Sequence, residues 1–114
     1  MALADEQCRL VRAAAPLSPQ EARELARSVP QWSLAEKQIE REFKFSDFRQ
    51  AMAFVNQVAD LAEEEGHHPD IFISYSRVRL TLSTHKVGGL SRSDFILAAK
   101  VDRAASETGP SIKG

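Results

Sequence analysis

Three histidines, His67, His68 and His85, are the residues of this sequence best suited to chemistry. His67 and His68 are adjacent and lie between Gly66 and Pro69. Imidazole is the side chain whose unperturbed pKa lies closest to neutral pH, so it serves as a general acid or base, and it is also a common ligand of zinc. The histidines therefore indicate proton transfer or metal binding, unless each is only a solvated loop residue.

The predicted strands indicate whether the three histidines form one site or lie apart in separate loops. Alternating apolar residues predict two consecutive strands, at residues 71–76 and 78–84. Because the link between them is too short for a parallel crossover, they form a hairpin. The start of the first strand then lies beside the end of the second, which brings His67 and His68 close to His85. This convergence favours one functional site.

Metal binding and nucleophilic catalysis are the less favoured chemistries. A closed zinc site needs four protein ligands and a catalytic one needs three plus water, whereas the single cysteine, Cys8, is distant in sequence and no His-x-x-x-His spacing occurs. No serine lies in a glycine-flanked nucleophile elbow, and Gly88-Gly89 lacks the lysine and the spacing of a phosphate loop. Acid–base chemistry by the histidines is the favoured interpretation, with a metal site as the alternative.

Two helices and a hairpin are predicted before the histidines. Ser18 and Glu21 form a capping-box pattern around Pro19, and this first helix should end near Val29. Alternation predicts a strand at residues 39–45 with a short partner at 32–34. The longest helix should begin at an N-cap Ser46 and end at Gly66. Its predicted core face consists of Phe48, Met52, Val55, Val58 or Ala59, and Ala62.

A third helix follows the last strand, with Ser91 as its N-cap, Asp94 completing a capping box and Leu90 packing on Phe95. The element order is α-β-β-α-β-β-α. It predicts an α+β fold in which a four-stranded antiparallel sheet carries three helices packed on one face.

The composition is that of one ordinary globular domain, with 43% hydrophobic and 27% charged residues in 114. A formal charge of −1 gives no basic excess, so direct binding to nucleic acid or to a membrane is not expected. The first dozen residues carry charges and no apolar core of a secretory signal, which predicts a cytoplasmic protein. We expect a flexible arm at residues 1–16, a domain at 17–105 and a flexible tail at 106–114.

Several spaced motifs resemble the pterin-4a-carbinolamine dehydratase family over about residues 17–105. The residues that carry the resemblance are Trp32, Phe43, Phe45, Asp47, Phe48, Glu63, His67, His68, Pro69, Tyr75, Leu82, Ser83, Thr84, His85, Gly89, Leu90, Ser91 and Asp94. The resemblance implies the α+β fold above. It also implies dehydration of 4a-hydroxytetrahydropterin, the 4a-carbinolamine, to quinonoid dihydropterin and water in tetrahydrobiopterin recycling.

The resemblance also implies roles for individual residues, with no metal and no bound cofactor. His67, His68 and His85 would be catalytic: His67 and His85 as the acid–base pair, and His68 mainly holding the pterin. Further contacts to the pterin would come from Gly66, Ser83, Thr84 and Lys86. Glu63 and Asp94 would support the histidines, although each also has a purely structural explanation, in a solvated acidic run and in a capping box.

The partners implied by the resemblance are a small pterin substrate and further copies of the chain, as a homodimer or homotetramer. Some animal members of the family also bind a homeodomain transcription factor. This sequence departs from the animal pattern at Gly66, Ile71 and Lys86-Val87, so a transcription-factor partner is unsupported. The alternative function is a non-catalytic dimerisation, coactivator or pterin-binding module, and a role in molybdopterin metabolism also stays open.

Overall fold

The computed structural model describes residues 2–108 and contains three helices and four strands. The helices are α1 (Pro19–Ala26), α2 (Phe48–Glu65) and α3 (Arg92–Thr108), and the strands are β1 (Ser33–Leu34), β2 (Ile39–Lys44), β3 (Asp70–Ser74) and β4 (Arg77–Leu82). Short 3₁₀ turns lie at Leu3–Asp5, Cys8–Leu10 and His85–Val87. The order of the helices and strands confirms the predicted α-β-β-α-β-β-α arrangement.

The strands form one antiparallel sheet in the order β1-β2-β4-β3, which confirms the predicted fold class. Phe43 of β2 lies opposite Val78 of β4, and Ile39 lies opposite Leu82. All four side chains are buried on the face that the helices cover, because alternate residues of a strand point to the same side. Glu40, Glu42 and Arg79 alternate with them and lie on the other face, whereas Arg41 shares the helix-covered face and pairs with Asp102 of α3.

The core face of α2 confirms the prediction at Val58 and Ala62 and differs from it at the other positions. The buried residues are Ala51, Phe54, Val58 and Ala62, together with Glu65, whereas the side chain of Phe48 is 49% exposed. Phe54 stacks against Phe43 and Phe45, with ring centroids 4.7 and 5.1 Å apart. The helix carries two apolar stripes at helical spacing, and these aromatic contacts select the stripe through Phe54 for the core.

The predicted ends of the elements need small corrections. Asp47, not Ser46, is the N-cap of α2, since its carboxylate accepts the Gln50 N–H at 2.9 Å. The capping box of α1 is confirmed, with Glu21 N–H donating to Ser18 and Ser18 N–H to Glu21. That helix ends at Ala26, earlier than predicted, and β3 ends at Ser74 because Tyr75 enters a tight turn with φ of 53°.

The flexibility expected at 1–16 and 106–114 stays a prediction, and the structure adds contacts for part of the first segment. Residues 3–10 pack against α3 through their two 3₁₀ turns, with Leu3 and Cys8 buried. Two apolar side chains without helical period give no periodic signal in the sequence, so this packing was not predicted. At the other end, α3 continues to Thr108, and residues 109–114 lie outside the described part of the chain.

The partly buried Asp102 ties α3 to the sheet. Asp102 accepts hydrogen bonds from the Trp32 indole at 2.8 Å and from the Arg41 guanidinium at 2.7 Å. Burial raises the pKa of Asp102, and these two bonds act in the opposite direction. The Arg41 guanidinium also lies 4.2 Å from the centre of the Phe43 ring. The contacts fix α3 across β2.

Within residues 2–108, none of the helices is long and apolar enough to cross a bilayer.

The docked arm generates a prediction about Cys8. Its side chain is 6% exposed, and burial raises the pKa of the thiol to about 12. Because the thiolate is the reactive form, a disulfide reagent at pH 8 should react on the order of 10²- to 10³-fold more slowly with the native protein than with the guanidinium-unfolded chain. The release of thionitrobenzoate measures both rates. Equal rates would mean that the arm is not docked.

Candidate active site

The carboxylate of Asp94 is the centre of the histidine cluster. Asp94 lies in the first turn of α3 and its side chain is 0% exposed. One oxygen, Oδ1, lies 2.6 Å from Nε2 of His67. The other oxygen, Oδ2, accepts the Thr84 hydroxyl at 2.8 Å and the Ser91 N–H at 2.9 Å. One side chain therefore joins the segment after α2, the segment after β4 and the start of α3.

The end of α2 sets the position of His67. Gly66 adopts the left-handed conformation, with φ of 65°, which reverses the chain at the helix end and strains any side chain other than glycine or asparagine. The backbone N–H groups of Gly66 and His67 both donate to the carbonyl of Ala62. His67 is thereby fixed relative to the last turn of α2, and its ring is held at Asp94.

The predicted capping box of α3 is only half formed. Asp94 accepts the N–H of Ser91 as predicted, but the Ser91 hydroxyl is hydrogen-bonded to the Thr84 hydroxyl at 2.8 Å. The isolated bridge between Thr84 and Gly89 brings the two segments together and places the two hydroxyls within hydrogen-bond distance. The cap residue is thus also a member of the hydrogen-bond network of the site, a role that sequence reasoning missed.

The environment of Asp94 indicates which ring nitrogen of His67 carries the proton. A carboxylate only accepts hydrogen bonds, so Nε2 of His67 must carry the proton shared with Oδ1. In the neutral ring, Nδ1 is then the nitrogen with a free lone pair, and Asp94 stabilises the imidazolium if that nitrogen takes a proton. The His67 side chain is 14% exposed, so the ring is largely screened from water. An imidazole in this arrangement can act as a general base.

His68 belongs to a second and much more open histidine–carboxylate pair. Its Nε2 lies 2.6 Å from Oε2 of Glu63, and the two side chains are 61% and 77% exposed. Exposed pairs of this kind contribute little to stability, because water competes for both groups and long side chains lose entropy. The geometry leaves His68 able to exchange Glu63 for another partner.

His85 is the first residue of the 3₁₀ turn after β4 and is exposed. It directly follows Thr84, which shares the Asp94 carboxylate with His67. Within residues 2–108, its ring has no hydrogen-bond partner. The hairpin that was expected to bring the histidine segments together is present, with Asp70 of β3 opposite Thr81 of β4.

The other residues predicted to contact a ligand differ in how accessible they are. Lys86 and Gly66 are exposed, and Ser83 is partly buried. Thr84 was expected to contact a ligand, but its hydroxyl is used by Asp94 and Ser91.

Glu65 is a buried acid beside the site that sequence reasoning treated only as part of an acidic run. Among the described residues, no three potential ligands are grouped closely enough to hold a metal ion.

Comparison with protein families places this geometry in context. The family described as pterin 4 alpha carbinolamine dehydratase matches residues 15–104, a span that includes the three histidines and Asp94. A protein of Rubrobacter xylanophilus named "Putative pterin-4-alpha-carbinolamine dehydratase" is 46% identical over 103 residues. These residues are 89% of this chain and 96% of that protein.

Two solved structures are similar to this chain. One is a transcriptional coactivator/pterin dehydratase from Brucella melitensis, with a TM-score of 0.75 and 37% identity over 79% of this chain and 98% of that one. The other is a pterin dehydratase-like protein identified as a RuBisCO assembly factor in the alpha-carboxysome. Its TM-score is 0.55 at 28% identity, over 65% of this chain and 86% of that chain.

The assignment of the His67 proton predicts the effect of Asp94→Asn. The asparagine oxygen must keep the N–H of Ser91, which can only donate, so the amide NH₂ faces His67. Nε2 must then accept, and the proton should move to Nδ1 of the neutral ring. Long-range ¹H–¹⁵N spectra of the imidazole distinguish the tautomers. Glu63→Gln, the matched control at the exposed pair, should leave His67 unchanged, and an Nε2–H signal retained in Asp94→Asn would contradict the assignment.

Proposed function

The chain belongs to the pterin 4 alpha carbinolamine dehydratase family, and from this premise we propose that it dehydrates 4a-hydroxytetrahydropterin to quinonoid dihydropterin and water. The observation that carries the proposal is the buried Asp94–His67 pair, whose Nδ1 is available as a base. The proposal places the reaction in tetrahydrobiopterin recycling. A pure binding module has no chemical need for a histidine polarised by a buried carboxylate.

The reaction needs one proton removed and one proton delivered. His67 takes the proton from N5 of the pterin through Nδ1, and the imidazolium that forms is stabilised by Asp94. The C4a–O bond breaks as the electron pair from N5–H forms the C4a=N5 double bond. The departing oxygen receives a proton from the imidazolium of His85 and leaves as water. The exposed position of His85 allows it to regain its proton from solvent.

Substrate positioning falls to the open part of the site. His68 exchanges its bond to Glu63 for a polar atom of the pterin, since the exposed pair is weak enough to be replaced. Gly66, Ser83 and Lys86 supply further polar contacts around the histidines, and Thr84 contributes its backbone because its hydroxyl is engaged. No residue in this scheme acts through a metal or a bound cofactor.

The kinetic consequences of these roles differ between the histidines. His67→Ala and His85→Ala should each lower kcat on the order of 10²-fold, the usual contribution of one acid–base group. His68→Ala should raise KM more than it lowers kcat, because its role is to hold the pterin. The assay follows dehydration of freshly generated 4a-hydroxytetrahydropterin. Full turnover by His85→Ala, with an unchanged melting temperature, would remove His85 from the mechanism.

Pterin binding without turnover is the outcome that favours the non-catalytic alternative. The described relatives include a protein named as both a coactivator and a pterin dehydratase and another identified as an assembly factor. If the wild-type chain binds a pterin and its three histidine variants bind it equally without any dehydration, the chain is a pterin-binding module. Turnover that depends on His67 and His85 excludes this alternative.

A homodimer or homotetramer is part of the proposal, because the single chain exposes two apolar surfaces. The outer stripe of α2 contains the exposed Phe48 and the partly buried Met52 and Val55, and the edge strand β3 exposes Ile71 and Phe72. An unpaired edge strand and an apolar helix stripe are both surfaces that proteins cover.

The outer stripe of α2 can be tested by light scattering. The wild-type protein at micromolar concentration should have the mass of two or four chains. Phe48→Glu should lower that mass, because a charge in the covered stripe opposes association. Arg49→Glu, its exposed neighbour, serves as the control. A monomeric wild type, or equal masses for all three proteins, would contradict this interface.

A further inference from the structure

The N-terminal arm, residues 3–11, contacts both elements that hold the Asp94–His67 pair. The backbone N–H of Cys8 donates to Oε1 of Glu65, the last residue of α2, at 2.8 Å. The Cys8 thiol donates to the carbonyl of Ser93, next to Asp94, and the Ser93 hydroxyl donates to the Cys8 carbonyl, each at 3.4 Å. Cys8 therefore bridges the end of α2 and the first turn of α3.

Glu65 occupies a position that is costly for an acid. Its side chain is buried, and it lies at the C-terminal end of α2, where the helix dipole disfavours negative charge. The groups that offset this cost are the N–H of Cys8 and the Lys100 ammonium, 3.7 Å from Oε2. Both lie outside α2, so the carboxylate ties the helix end to the arm and to α3.

The rest of the arm is anchored along α3. Arg92 makes a bidentate pair with Glu6, both bonds being 2.7 Å, and these bonds lower the pKa of Glu6. Lys100 donates to the carbonyl of Ala4 at 2.9 Å, and Arg103 donates to the same carbonyl at 3.0 Å. The arm is thus held by α3 at several points and reaches α2 at the Glu65 carboxylate.

We propose that the arm, residues 3–11, acts as a clasp, which means that its hydrogen bond to Glu65 holds the end of α2 against α3. Glu65 is then a positioning residue for His67. The link is short: Glu65 precedes Gly66, and the N–H of His67 bonds back to Ala62 in the same turn of α2. A displacement of the end of α2 relative to α3 therefore lengthens the 2.6 Å contact between His67 and Asp94. The clasp lies outside the region matched by the family, residues 15–104. Its effect on turnover rests on the proposed function, whereas its effect on His67 does not.

Two conservative variants separate the hydrogen bond of Glu65 from its charge. Glu65→Asp keeps the charge but is one methylene too short to reach the Cys8 N–H, and Glu65→Gln keeps the length and the acceptor but loses the charge. Glu64→Asp is the matched control, since Glu64 is the exposed neighbour on the same turn. Deletion of residues 2–10 is the second test, because it removes the donor itself.

Three measurements decide the proposal. Hydrogen exchange of the Cys8 amide is measured in the Glu65 and Glu64 variants, and the ¹H–¹⁵N imidazole signal of His67 and kcat with KM are measured in every variant. In Glu65→Asp and in the deletion, we expect a changed His67 signal and a kcat about 10-fold lower at similar KM, the cost of a misplaced catalytic group. Glu65→Gln and Glu64→Asp should resemble the wild type. Loss of Cys8 protection in Glu65→Asp reports that the clasp has opened.

Three further outcomes would each overturn the clasp, limit the arm to a structural role, or separate the clasp from the proposed function. If Glu65→Gln is impaired and Glu65→Asp is not, the charge and not the hydrogen bond matters, and the clasp is wrong. If the deletion variant keeps the wild-type His67 signal and kcat, the arm has only a structural role. If the wild type has no dehydratase activity but the His67 signal responds to Glu65→Asp, the clasp stands and the proposed function fails.

Discussion

A buried carboxylate needs hydrogen-bond donors for both of its oxygens, and at Asp94 three separate segments of the chain supply them. The donors are the His67 ring, the Thr84 hydroxyl and the Ser91 N–H. Removing a partner from a buried charge typically costs about 3–5 kcal/mol, because the remaining charge is left without compensation. The first turn of α3 also favours the negative charge through the helix dipole. The position of all three segments is therefore linked to the satisfaction of one side chain.

The two histidine–carboxylate pairs divide the site into a fixed part and an exchangeable part. Burial strengthens the interaction of His67 with Asp94, because few water molecules compete for either group. The same chemistry at His68 and Glu63 is weak, because both side chains are mostly exposed. Proton transfer benefits from a group held in one geometry, whereas binding and release of a substrate require contacts that can be replaced. The difference in solvent exposure, not in residue type, separates these roles.

The sequence predicted the features that depend on local patterns. Alternation in β2 and β4 and the cap at Ser18 are each decided within a few residues, and they were predicted correctly. The core face of α2 was predicted only in part, with Val58 and Ala62 correct, because both of its stripes are apolar and the contact of Phe54 with Phe43 selects one. The bond of the Ser91 hydroxyl to Thr84 and the bond of Glu65 to Cys8 fall outside the helix-capping and periodicity patterns, so neither was predicted. Asp94 was identified as a residue that supports the histidines by resemblance, and only the structure shows that its side chain is buried.

The β3–β4 hairpin also constrains how the length of this chain can vary. The histidine segments enter and leave the same hairpin, and Tyr75 closes its turn in a conformation that few residues adopt. Inserting or deleting one residue at the start of β4 would move Val78 and Leu80 from the core to solvent, because side chains alternate with a period of two. The spacing between His68 and His85 is thus constrained by strand pairing. Length changes are better tolerated between β1 and β2, where residues 35–38 are exposed.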